Sequence, residues 1–182
     1  MIRRFLDGLY LWAGYMAGAC LVIIFGLMMF LSVGREIGVN IPSGDDFAGW
    51  ALVAMAFLGL AHTFKRGEMI RVGLLLERLH GVKRRAAELV SLTIAALFLG
   101  YFTFQAGKLA YDSWRFFDMS TGVVVVPLWI PQMGLVCGLA ILLIAVLEEW
   151  VRVFGGERPT YEPEPPKSTE ELIERIAQGG GV

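Results

Sequence analysis

The sequence predicts an all-α integral membrane protein: four transmembrane helices with an interfacial amphipathic helix between spans two and three. Composition is the first reason. Of the 182 residues, 56% are hydrophobic, against about 45–50% in a soluble domain. Arrangement is the second. Residues 8–34, 47–64, 89–107 and 119–147 carry no charge, and roughly 20 apolar residues cross the hydrocarbon core. Backbone groups find no water there, so each block should be helical. The third reason is charge distribution. Thirteen of the sixteen Lys and Arg residues lie before the first block, between the second and third, or after the fourth. The positive-inside rule then puts both termini in the cytoplasm. The net charge of −1 gives no sign of a nucleic-acid partner.

Span one covers about Leu9–Val33. Gly8, Gly14, Ala17 and Gly18 place small residues at helical spacing, which suits close contact between helices. Cys20 and Cys137 fall inside spans and read as small packing residues. Ala17-Gly18-Ala19 precede Cys20 as in a lipoprotein signal. No Leu stands three residues before the Cys, however, and the span continues through it, so neither a lipoprotein nor a cleaved signal peptide is expected. The first outer loop, Arg35–Asp46, holds Asn40, Pro42, Ser43 and Gly44, which is turn chemistry. Asp45 or Asp46 suits the positive end of the next helix dipole.

Span two covers about Phe47–Phe64, with His62 near its cytoplasmic edge as a wet interfacial histidine. In the second loop Val72, Leu75, Leu76, Leu79 and Val82 recur at helical spacing. Arg71, Arg78 and Arg85 repeat every seven residues on another face. That pattern predicts an interfacial helix over residues 70–86, its basic face toward anionic head groups. Span three covers about Leu89–Ala106. The third loop then runs from Lys108 to Gly122, with Tyr111, Trp114, Phe116 and Phe117 as an aromatic belt; Trp50 and Trp129 are expected at the interface too. Asp112 and Arg115 can pair across one helical turn. Pro127 and Pro131 mark the start of span four, about Leu128–Leu147, since Pro is tolerated in a first turn. Glu148, Glu149 and Arg152 end it. Two domains follow: a membrane domain, 1–155, and a Pro-rich cytoplasmic tail, 156–182. In the tail Ser168-Thr-Glu-Glu171 opens a short helix as a capping box.

No catalytic constellation is present. There is no His-Glu-x-x-His, no phosphate loop and no paired-Cys redox set, so neither enzymatic activity nor a cofactor is expected. The spans hold almost no ionisable groups, His62 being the exception, whereas ion-coupled carriers place acids or bases in the bundle. Nor are there matched, Gly/Pro-broken helices of the kind that mark many carrier sites. The pattern reads as a membrane scaffold or partner subunit.

Two stretches carry a resemblance. One is Gly49-Trp50…Phe57-Leu-Gly59-Leu-Ala-His-Thr-Phe-Lys-Arg66-Gly-Glu-Met-Ile-Arg-Val72. The other is Asp112-Ser-Trp-Arg-Phe-Phe-Asp118-Met-Ser-Thr-Gly-Val…Pro127-Leu-Trp-Ile-Pro131-Gln…Gly134…Gly138. Together they resemble the small permease subunit (DctQ type) of TRAP transporters, the tripartite ATP-independent periplasmic family. Met69 and Gly73 stand where the family pattern often has His and Asp. The resemblance implies a subunit of the bacterial inner membrane that braces a large permease subunit. It implies help in docking a periplasmic substrate-binding protein for sodium-coupled uptake of organic acids, with membrane lipids as the other partner. On that reading Glu36, Asp45 and Asp46 in the first loop, and Asp112, Arg115, Asp118 and Ser120 in the third, belong to the docking surface. The alternative is a haem-bearing membrane anchor of a respiratory oxidoreductase. Such anchors usually need two histidines at membrane depth, and only His62 lies there.

Overall fold

The computed structural model describes residues 2–38, 42–66 and 82–156. Four helices fill most of them: α1 (Ile2–Glu36), α2 (Gly44–Arg66), α3 (Val82–Arg115) and α4 (Trp129–Gly155). Each is long and apolar enough to cross a membrane. Among the described residues, extended pairing is limited to one bridge, Met119 with Pro127. Arg71 and Arg78 lie outside the described residues, as does most of the expected interfacial helix. Residues 82–86 form the first turn of α3 instead. The tail from residue 157 is also outside them.

The first three helices outrun their uncharged blocks at both ends, and α4 outruns its block at the C-terminal end. The third loop, expected from Lys108, begins only at Phe116. No Pro or Gly interrupts Lys108–Arg115, so nothing stops the helix where its charges begin. At 34 residues and 1.5 Å per residue, α3 is about 50 Å long, well beyond a hydrocarbon core of roughly 30 Å.

The helices pack in the order α1, α2, α4, α3, with α2 and α3 flanking α4 and not approaching each other. α2 and α4 run parallel and come closest where they lack side chains. A Cβ on Gly134 would stand 2.8 Å from that of Ala54, and one on Gly138 would stand 2.6 Å from the Phe57 backbone. This is a small-xxx-small seam. On α1 the seam toward α2 is Ala13, Gly14 and Ala17. Gly8 and Gly18 face open space, so the expected four-residue contact face is halved. Cys20 is half-buried and Cys137 exposed, so only the first serves packing.

The buried core gathers toward one end of the bundle, around Tyr10, Ala61, Phe64, Leu92, Leu142, Ala145 and Val146. The starts of α1 and α3 and the ends of α2 and α4 meet there, and we call it the termini end. The opposite end carries the Met119–Pro127 bridge and is the hairpin end. Elsewhere large apolar side chains such as Trp12, Phe25, Phe98 and Phe104 point outward, as a lipid-facing surface requires.

Candidate functional site

Polar chemistry concentrates at the two ends. At the termini end, Lys65 in the last turn of α2 meets two neighbouring acids of α4. Its Nζ lies 2.8 Å from Glu148 Oε2 and 3.0 Å from Glu149 Oε1. The Tyr10 hydroxyl donates to Glu148 Oε2 at 2.9 Å, and the Lys65 ammonium sits 5.3 Å from the centre of the Tyr10 ring. Arg152, one turn further along α4, reaches Glu148 Oε1 at 3.3 Å. Glu149 is wholly buried. Among the described residues, the Lys65 and Arg152 cations offset the Glu148 and Glu149 carboxylates. Burying an ion unpaired costs several kcal/mol, so each holds the others in place.

The cluster corrects two expectations. The bundle does hold ionisable groups, and Glu148 and Glu149 do not end span four, because α4 continues to Gly155. Opposite charges at the ends of two spans, Lys65 on one and Glu148-Glu149 on the other, were the available signal for a pair.

Two further polar side chains at this end tie helices together. Arg85, expected to face lipid head groups, donates to the Val153 carbonyl at 3.1 Å and to that of Phe154. With Gly156 at φ 83 it closes the C-terminus of α4, where the carbonyls lack helical partners and a cation is favoured. His62 is half-buried and turned into α1 rather than out to water. Its ring covers Gly14, where a Cβ would come within 2.9 Å. Its Nδ1 lies 3.2 Å from the Tyr10 carbonyl; a carbonyl only accepts, so Nδ1 carries the proton. Among the described residues no group of His, Cys, Asp and Glu could hold a metal ion.

At the hairpin end the first and third loops meet. Ser43, at φ 60, accepts the Val124 amide at 3.0 Å. Gly122 lies against Asp46, whose Oδ2 would be 2.5 Å from a Cβ there. The third loop is pinned internally by Ser120. Its Oγ donates to the Val124 carbonyl at 3.1 Å and accepts the Val126 amide at 3.0 Å. The Ser120 amide bonds Val126 and the Leu128 amide bonds Asp118. α3 stops in a six-residue cap, the Asp118 amide returning to the Ser113 carbonyl at 3.0 Å with Phe117 at φ 55. Glycine is usual at that position, and a side chain there costs about 1–2 kcal/mol. Phe117 nonetheless stands 77% exposed, and Phe116 and Val123 are exposed as well.

The seven residues expected on a docking surface therefore divide. Glu36 and Asp118 are exposed. Asp45 is exposed and lies 3.8 Å from Arg35, a pair worth little in water. Asp46 is exposed against Gly122, and Ser120 holds the third loop internally. Asp112 and Arg115 share the last turn of α3 but do not pair; Arg115 lies over the Phe116 ring, 5.9 Å from its centre. Of the interfacial tryptophans, Trp50 is half-buried edge-on to Phe47, while Trp114 and Trp129 are exposed. The sequence pointed to Phe117 only as part of an aromatic belt. Its left-handed backbone has no local signature.

The family model described as "Tripartite ATP-independent periplasmic transporters, DctQ component" matches residues 24–156. No curated protein and no solved structure matches the chain.

Proposed function

The chain belongs to the DctQ family, the small membrane subunit of TRAP transporters, and from that premise we propose that it is a non-transporting brace. In this reading it stiffens the immobile part of the large permease subunit and offers its hairpin end to the periplasmic binding protein, for sodium-coupled uptake of organic acids. The family is a transporter component and not an enzyme family. Both termini lie in the cytoplasm of a bacterial cell, and the hairpin end is periplasmic.

The observation that carries the reading is the contrast in polar chemistry. Every carboxylate of the termini cluster is met by a cation, and Glu148 by a hydroxyl as well. That serves helix locking rather than ion passage, which needs groups able to exchange partners. At the hairpin end, by contrast, Glu36, Asp118, Phe116 and Phe117 point outward from loops held by their own hydrogen bonds. A docking face combines such apolar anchors with a charged rim.

Glu36 and Asp118 changed together to Lys test the docking role without touching the loop-holding Ser43 and Ser120. Uptake by the assembled transporter should fall at limiting binding protein and recover at high concentration. The wild-type apparent affinity should weaken with salt as screening shortens from about 10 Å at 0.1 M. Uptake unchanged at every binding-protein concentration contradicts docking here. Reporter fusions at Asn40 and Thr121 should read periplasmic, and a cytoplasmic reading of either reverses the orientation.

A further inference from the structure

A groove of about 760 Å³ opens between α2 and α3, with α4 as its floor. Its walls are Phe57 of α2 and Leu99, Phe102 and Leu109 of α3, and its floor is Leu135 and Leu139. Polar atoms enter only toward the hairpin end, where Gln105, Lys108 and Asp112 line it. The size is that of a ligand site and not a packing defect.

Its length narrows the choice of occupant. From Asp112 to Leu99 along α3 is about 20 Å at 1.5 Å per residue. One leaflet with its head groups is about the same, half of the 40–45 Å bilayer. The mouth is level with the first turn of α4, because the Gln132 amide bonds Ser113 at 3.1 Å. Trp114 and Trp129 mark the interface at that height. The deep end closes where Leu99 joins the core cluster. A transmembrane partner helix would run alongside through both leaflets, whereas this groove stops within one.

Charge narrows it further. Lys108 and Asp112 are one turn apart on the groove face and form no ion pair with each other. The Lys108 stem can lie along the apolar wall with its ammonium raised to the interface.

We propose that the groove holds one phospholipid with a zwitterionic headgroup ending in a primary amine, its phosphate on Lys108 and its ammonium on Asp112. A primary ammonium offers N–H donors to the carboxylate, which a quaternary ammonium lacks. The site rests on the four-span architecture and not on the docking reading, so either can fail alone.

The test is native mass spectrometry of the delipidated full chain, incubated with matched-chain phosphatidylethanolamine, phosphatidylcholine or phosphatidylglycerol. One ethanolamine lipid should be retained about tenfold more tightly than either other lipid, the size of one or two charge-assisted hydrogen bonds. Lys108→Gln and Asp112→Asn should each remove that preference while leaving the thermal unfolding midpoint unchanged. Leu109→Trp, made at an exposed wall position, should reduce retention of all three lipids. Equal retention of the three lipids by the wild type, or a preference for the anionic one, overturns the proposal. So does an ethanolamine preference that survives both charge-removing variants.

Discussion

At the termini end, Lys65, Glu148, Glu149, Tyr10 and Arg152 join three helices through buried charge. At the hairpin end, the Ser43 hydroxyl joins two loops, Ser120 and backbone amides hold the third loop internally, and Phe116, Phe117 and Val123 are left in the open. The difference is one of consequence. A buried ion network tolerates no missing member, because the partner left behind is a naked charge. A loop held by neutral hydrogen bonds gives up each for about 1 kcal/mol, and so can carry a surface that changes. On the proposed function, bracing belongs with the first construction and recognition with the second.

The largest effect should come from breaking the network on one side. Lys65→Met removes the ammonium that lies 3.0 Å from buried Glu149 and 2.8 Å from Glu148, and should cost about 3–5 kcal/mol. It should appear as a sharp loss of monodisperse protein in detergent and a large fall in the thermal unfolding midpoint. Adding Glu149→Leu should restore much of it, since Glu148 keeps Arg152. If the double variant is no better than the single one, the cluster is not a closed charge balance.

Next is the seam that holds α2 against α4. Gly138→Leu places a side chain where the Phe57 backbone lies 2.6 Å from a Cβ, and should destabilise by about 1–3 kcal/mol. Gly18→Leu, which meets nothing within 4 Å, should leave the midpoint unchanged. Equal effects at the two glycines would mean that the seam is misplaced.

Smallest is the hairpin end. Ser120→Ala removes two hydrogen bonds from the third loop but leaves the loop solvated. About 1–2 kcal/mol of local stability should go, seen as faster amide exchange at Val126 with an unchanged global midpoint. A global loss would make the loop part of the brace and erase the contrast between the ends.

The same contrast decides what could be read from residues alone. Four spans were legible because uncharged blocks of sufficient length have one structural solution in a membrane. Helix ends were not. Charge marks where a helix meets water only if the charges face water, and Lys65, Glu148 and Glu149 are paired inside the bundle. A tertiary pairing between residues 65 and 149 leaves no periodic trace in either helix. The close seam at Gly134 and Gly138 was not read from spacing, and on α1 Gly8 and Gly18 looked as eligible as Gly14 and Ala17, because which small residues face a neighbour depends on helix rotation. At the hairpin end, proximity in sequence to a span end identified the outward acids. It could not separate Ser120, which holds the third loop internally, from Glu36 and Asp118, which face out. Phe117 as a left-handed cap is set by the end of α3 and by nothing in its own identity.

The central claim is that this chain supports transport without performing it. The most direct measurement is sodium-driven uptake into liposomes containing this chain alone, the large permease subunit alone, or both, each with the binding protein and its organic-acid substrate outside. Uptake should appear only when both membrane subunits are present, and this chain alone should give none. Sodium-driven uptake by this chain alone, or full uptake by the large subunit without it, would contradict the account.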